Sequence, residues 1–376
     1  MADTPTDSKM PIALVYWGRM GAGAALMNQI AEAMRDDARF ELYLSPSLNS
    51  ELPPRFPDER VLPVHTFSGP LGLMARTPFL RATVGRLVKE FKARNVRAIV
   101  TVMPHVWGLA LQRAARRAGI RTMLIVHDAD PHPGERRPLL DWLVRREIAA
   151  SDRIITLSNH VASRLIVRRV VPKDRVARTF HPVFRFGAKP AAERHAPLRL
   201  LFFGRILPYK GVGMLLNAYA WLRATGVELT LTVVGRGRID GPASLEVQPG
   251  LTIRRGWVAP DAIGEILAEA DAVVLPYLEA SQSGVVAAAY GAGLPVIATP
   301  VGGLREQVAD GRTGVLAQGT SAVDFAEAIR RLIETPGLYE TCRAGAAARA
   351  AVHSPERFAA ALGDMIVETV SGPLRA

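Results

Sequence analysis

Residues 198–222 read LRLLFFGRILPYKGVGMLLNAYAWL, and the fold is decided by how this stretch is parsed. Leu198 to Phe203 is a short apolar run closed by Gly204, the pattern of a strand buried on both faces. After a polar loop, Gly211 precedes the helical run Val212 to Leu222. A strand, a loop and a helix make half of a crossover unit, and the other halves lie on either side. Downstream, Glu228 to Val234 reads as a strand ending at Gly235, and Ala262 to Ala270 as a helix with Pro260 in its first turn. Strand Ala272 to Leu275, a helix from Gly284 to Tyr290 and strand Pro295 to Ala298 follow. Upstream, strand Ile12 to Trp17 runs through Gly18, Gly21 and Gly23 into helix Ala24 to Met34. Val84, Leu87, Val88 and Phe91 have helical spacing, then strand Ala98 to Val102, helix Leu109 to Ala118 and strand Thr122 to Val126.

Strands recurring between helices predict parallel sheets covered on both faces, and the cycle begins twice. The expected class is α/β, with two doubly wound Rossmann-like domains facing across a cleft at the carboxyl ends of their strands. The reading places the domains at 1–186 and 198–354, a polar, proline-containing linker at 187–197, and a last helix at 355–376 that crosses back to the first domain.

Composition narrows the function classes. The chain has 376 residues, 49% hydrophobic and 22% charged, and a single cysteine, Cys342, so no internal disulfide can form. The start lacks the pattern of a secretory leader, and the most apolar region, Ala270 to Gly303, is broken by Glu279, several glycines and three prolines. A cytoplasmic protein is expected, with any membrane contact peripheral. Residues 1–186 carry 29 Lys and Arg against 17 Asp and Glu, whereas 187–376 carry 18 of each. All of the net charge of +12 therefore sits in the first half, which suggests an anionic partner or a solubilising surface. No nucleic-acid-binding module accompanies it.

Two segments carry chemistry. In the first, Arg205 and Lys210 lie between Gly204 and Gly211 where a strand gives way to a helix. Fixed cations and helix amides are what a diphosphate leaving group needs, although arginine and lysine near turns are also ordinary surface residues. In the second, Glu279, Ser281, Gln282, Ser283, Gly284 and Val285 again join a strand end to a helix start. Glu279 can hold sugar hydroxyls, and the serine hydroxyls and amides can take phosphate or ribose; Ser281 or Ser283 can equally be a helix cap.

The succession GRILPYKG, VVGRG, GWV, ADAVVLPYLEASQSG and AGLPVIATPVGGLREQVADGRTGVL, across Leu198 to Gln318, resembles the donor domain of family-four retaining glycosyltransferases. The first half is similar more loosely, through its glycine turn and Val126-His127-Asp128. The resemblance implies the GT-B fold, with the acceptor taken by the N-terminal domain and the nucleotide sugar by the C-terminal one. It implies that Arg205 and Lys210 bind the donor diphosphate, that His127 lies near the transferred sugar, and that Glu279 orients it. Gly21 and Gly23 would admit the diphosphate from the opposite wall, Arg236, Gly237 and the Trp257-Val258 turn would line the base pocket mainly by backbone, and Gly235 belongs to the same donor-binding set. The Gly302-Gly303 pair also matches. One departure stands out: the family pairs Glu279 with a second glutamate, and here Ala287 or Ala288 occupies its place. Ribose contact then falls to Ser281, Gln282 or Ser283.

The expected activity is therefore retaining transfer of a sugar from a nucleotide diphosphate to a glycan or lipid-linked acceptor, without a cofactor or metal. The alternatives are a non-catalytic sugar-nucleotide-binding subunit and a nucleotide-sugar epimerase of the same fold. Arg86, Arg113, Arg116, Arg117 and Arg121 are the arginines expected to dock the basic half on an anionic membrane beside such an acceptor.

Overall fold

The computed structural model describes residues 9–19, 21–54, 56–131, 137–187 and 194–373; most of the expected linker lies outside these. In the first half the strands are β1 (Met10–Tyr16), β2 (Phe40–Pro46), β3 (Ala98–Thr101), β4 (Arg121–Val126), β5 (Arg153–Thr156) and β6 (Val176–Arg178). The helices between them are α1 (Ala22–Met34), α2 (Gly69–Arg76), α3 (Leu80–Ala93), α4 (Gly108–Arg117), α5 (Pro138–Ala150) and α6 (Asn159–Val167). In the second half they are β7 (Leu198–Phe203), β8 (Leu229–Gly235), β9 (Leu251–Arg255), β10 (Ala272–Leu275), β11 (Val296–Ala298) and β12 (Gly314–Leu316). Around these pack α7 (Val212–Ala224), α8 (Ile263–Ala268), α9 (Gly284–Gly291), α10 (Leu304–Gln307), α11 (Ala322–Glu334), α12 (Leu338–Val352) and α13 (Pro355–Ser371).

The strands form two six-stranded parallel sheets, ordered β2-β1-β3-β4-β5-β6 and β12-β11-β10-β7-β8-β9. Each reverses its strand order once, between β1 and β3 in the first sheet and between β7 and β10 in the second. Such switch points open crevices at the carboxyl ends of their strands. The central strands are apolar because helices cover both faces: every residue of β3 and β10 is buried. Helices bring the matching stripe, and in α3 the buried residues are Val84, Leu87, Val88 and Phe91, the spacing read from the sequence. Each large apolar side chain so buried contributes about 1.5–3 kcal/mol.

The chain ends by returning to its first half. Helix α13 packs on α1, and ion pairs fasten it there, Arg39 to Asp364 at 2.7 Å and Arg153 to Glu368 at 3.0 Å. Arg121 is buried and donates to the Gly372 carbonyl, and Arg116 lies 3.8 Å from Asp152. These two arginines of the expected membrane-docking set are thus engaged in the fold: Arg121 opens a central strand, and Arg116 is on the inner side of α4.

Candidate active site

Arg205, Lys210, Glu279 and the serine turn fall on the loops that follow β7 and β10, the two strands flanking the second switch point, whereas Gly235 ends β8, Arg236 follows it and Val258 follows β9. A backbone hydrogen bond joins these two loops, Leu278 N donating to the Tyr209 carbonyl at 2.8 Å, and another ties the first of them to the turn after β8, Ile206 N donating to the Arg236 carbonyl at 2.8 Å. The approach is so close that a Cβ on Gly211 would stand 1.9 Å from the Pro276 oxygen, and the positive φ of 66° there also suits glycine. Gly235 is glycine for the same reason, since its added Cβ would meet the Gly204 oxygen at 1.7 Å.

Lys210 and Arg205 lie on the same loop after β7, and Lys210 reaches a buried aromatic ring. The Lys210 ammonium lies 3.6 Å from the centroid of the Tyr277 ring, near enough for a cation–π contact. Arg205 acts on the same phenol electrostatically, opposing the burial that raises its pKa. Tyr277 is fully buried, so it is a fixed aromatic surface beneath the Lys210 ammonium. It lies within ADAVVLPYLEASQSG, yet nothing in that stretch singles it out, because a buried tyrosine at a strand end reads as core.

Gly204 has φ 136°, and the space beside it is bounded by the Val285 side chain, 3.8 Å from an added Cβ. Val285 sits in the first turn of α9, whose N-cap Ser283 accepts from Val285 N at 3.2 Å. The Ser283 hydroxyl is thus used as a cap, and its backbone is held on both sides by Gln307: N donates to Oε1 at 2.8 Å and O accepts from Nε2 at 3.2 Å. Ser281 is buried and its carbonyl accepts from Ser158 Oγ at 3.3 Å. Ala288 shares a helical face with Val285, whereas Ala287 lines a rear cavity of about 240 Å³ with His181 and His353.

The opposite wall comes from the first half. Position Gly284, at the start of α9, is so close to the start of α1 that an added Cβ would be 3.9 Å from the Ala22 Cβ. Two helix N-termini, one from each sheet, are thus brought together, with Phe184 and His181 packed beside them, and each carries partial positive charge. Gly21 has φ 98° with open space beside it, while Gly23 makes room for the Tyr16 ring, 2.2 Å from an added Cβ. Gly23 is therefore needed for packing and Gly21 for its backbone conformation.

His127 follows β4 and is buried. Its Nε2 lies 3.1 Å from the Val102 carbonyl and its Nδ1 2.9 Å from Gln282 Nε2. With the Gln282 amide nitrogen assigned to face it, Nδ1 accepts and Nε2 donates to the Val102 carbonyl, which is the neutral tautomer. Burial agrees, driving its pKa below the ordinary imidazole range against the pull of Asp128. Gln282, from the second half, thus sets the tautomer of a histidine in the first. His181, 6.1 Å from His127 between ring centroids, is also neutral, its pKa pushed down to about 3 by burial.

Glu279 is exposed and lines a cleft of about 860 Å³ between the halves, opposite Trp142, Arg164 and Arg168. Arg236 is exposed, and Val258 is half-buried against the core. The walls of the cleft are tied by Glu306 of α10, whose carboxylate accepts from Asn159 N, Asn159 Nδ2 and His160 N at 2.8–2.9 Å. An acid from one half thus sits at the N-terminus of a helix in the other.

Two family models match the chain: Glycosyltransferase Family 4 over residues 21–183 and Glycosyl transferases group 1 over residues 197–335. Among curated relatives, a D-inositol 3-phosphate glycosyltransferase of Pseudarthrobacter chlorophenolicus is 29% identical over 66% of this chain and 62% of its own length. One of Stackebrandtia nassauensis is 30% identical over 72% of this chain and 66% of its own length. The chain thus matches less than two thirds of either relative. Among solved structures, sucrose-phosphate synthase of Thermosynechococcus elongatus superimposes with TM-score 0.73 at 18% identity, covering 96% of this chain and 99% of that one. Anabaena HepE, solved with UDP and glucose, does so with TM-score 0.70 at 18% identity over 97% and 100%. The two models divide the chain between them as the two sheets do, and this protein is accordingly a member of the group 1, family 4 glycosyltransferases with the GT-B fold.

Proposed function

We propose that the protein is a retaining, metal-independent glycosyltransferase that moves a sugar from a nucleotide diphosphate to a glycan or a lipid-linked acceptor. The observation that carries this reading is that Arg205 and Lys210, the latter seated on the buried Tyr277 ring, follow β7 at the second switch point, with the N-termini of α1 and α9 brought together nearby. The diphosphate would lie among these groups, where cations and amides stabilise it more as it leaves than while it is bonded to the sugar. In the transfer step the bond between the anomeric carbon and the β-phosphate oxygen breaks, and the acceptor oxygen bonds to the same face. The acceptor proton passes to an oxygen of the departing diphosphate.

His127 has both ring nitrogens engaged, so it would offer the sugar the C–H edge of a fixed ring, neither transferring a proton nor contributing a positive charge. Glu279 would take sugar hydroxyls from the cleft side. With Ser283 used as a cap and Gln282 turned to His127, ribose would be held mainly by backbone amides and Ser281. HepE, crystallised with UDP and glucose, supports a nucleotide-sugar donor, and the inositol-phosphate transferases support a small or anionic acceptor headgroup.

The test compares transfer by wild type and by Arg205→Ala/Lys210→Ala, each in EDTA and in Mg²⁺. Unchanged turnover in the double variant removes the cation pair from the mechanism, and an absolute need for Mg²⁺ removes metal independence. Donor binding with neither hydrolysis nor transfer would favour the non-catalytic subunit, and interconversion of the free sugar nucleotide would favour the epimerase.

A further inference from the structure

Helix α2 buries none of its residues. Leu71 is 83% exposed, Met74 74% and, in the turn that follows, Phe79 66%; Ala75, Pro78 and Ala82 are exposed as well. Large apolar side chains this bare and this close together cost solubility and call for a partner. The same stretch is cationic: Arg81, Arg86 and Lys89 are exposed, and no carboxylate occurs between Glu59 and Glu90. Its place in the fold matters too. Phe67, two residues before α2, packs on His105 and Trp107 at ring-centroid distances of 5.5 and 5.3 Å, and these follow β3, at the carboxyl end of the first sheet. The apolar helix therefore sits at the rim of the first half, on the side where the cleft opens.

We propose that α2 is a membrane-docking element. Leu71, Met74 and Phe79 enter the headgroup–acyl boundary of an anionic bilayer, Arg81, Arg86 and Lys89 meet its phosphates, and the cleft is set down beside the membrane surface. This rests on the transferase reading and deepens it, because it commits the acceptor to the lipid-linked class. An interfacial helix needs an apolar face together with neighbouring cations, and among the described residues this segment joins the two without an intervening acid. The surface differs from the arginines of α4, of which Arg116 is engaged elsewhere in the fold.

The experiment is flotation of the full chain with phosphatidylcholine vesicles and with phosphatidylcholine–phosphatidylglycerol vesicles, at low and high salt. Wild type is expected to float with the anionic vesicles at low salt and far less with neutral ones. Leu71→Ser/Met74→Ser/Phe79→Ser should lower partitioning on the order of a hundredfold. Arg86→Gln/Lys89→Gln should lower it roughly tenfold or more and weaken its salt dependence. Absence of flotation by wild type, or equal flotation by the triple variant, overturns the proposal. So does sedimentation showing a dimer that the triple variant dissolves, which would make the face a self-association surface. Donor hydrolysis in solution, measured on the same samples, tests the transferase reading separately: turnover without flotation sinks only the docking element.

Discussion

Replacing Glu306 with alanine probes the coupling between the two halves more directly than any change in the cation pair. Its carboxylate accepts three hydrogen bonds of 2.8–2.9 Å from the first turn of α6. Its neighbour Gln307 holds both backbone groups of Ser283, in the donor turn. Two adjacent side chains thus clasp the far wall of the cleft and the near one. Charge-assisted hydrogen bonds contribute about 1.5–3 kcal/mol each when buried and less when exposed, and a carboxylate at a helix N-terminus contributes about 0.3–1 kcal/mol. Because this site is exposed, water replaces part of the loss, and about 2 kcal/mol of interlobe coupling is a reasonable sum. We predict that Glu306→Ala shifts the balance of closed to open forms about thirtyfold, widens the small-angle scattering envelope of the donor-bound protein, and lowers kcat/KM by roughly ten- to thirtyfold. Glu306→Gln, which keeps one acceptor oxygen at the same reach, should recover part of this. A double-mutant cycle with Asn159→Ala should show non-additivity. Unchanged scattering together with unchanged kcat/KM in Glu306→Ala would refute the coupling.

Gln282→Leu leaves His127 Nδ1 buried without a donor, so kcat should fall roughly ten- to hundredfold with a smaller change in thermal stability, read by steady-state kinetics beside a melting curve. Gly211→Ala places a Cβ 1.9 Å from the Pro276 oxygen at a positive φ and should lower unfolding free energy by about 2 kcal/mol or more in urea titration. Buried Glu147, its pKa raised to about 8 by loss of hydration, binds a proton more tightly folded than unfolded. Its contribution is therefore complete below its unfolded pKa and lost as pH climbs toward 8, at about 1.4 kcal/mol for each pKa unit of real shift. Glu147→Gln should flatten that decline in a pH series of melting temperatures, and a variant that loses stability with rising pH as wild type does would contradict the assignment. His181, depressed to about 3, works in the opposite sense: it destabilises the fold as pH falls below the unfolded imidazole value, so His181→Asn should lessen acid sensitivity.

The sequence by itself determined the two parallel sheets, because doubly covered strands must be apolar runs and their helices must show a one-sided stripe. Leu198–Phe203 and Ala272–Leu275 agree with β7 and β10 to the residue for that reason. It also placed Arg205, Lys210, Glu279 and the serine turn at strand ends, where a doubly wound sheet puts its ligands. Tertiary structure alone decided which residues meet. Gln282 and His127 are 155 positions apart, and Glu306 and Asn159 are 147 apart. No local pattern encodes a pairing across two separately wound sheets, since each partner looks like an ordinary polar residue in its own segment. The same holds for the glycines: Gly23 and Gly235 read as ligand contacts along the chain, but it is the Tyr16 ring and the Gly204 carbonyl that exclude a side chain there. The bare apolar face of α2 was equally hidden, because a run such as Leu71 to Phe79 reads as core until the fold leaves it uncovered.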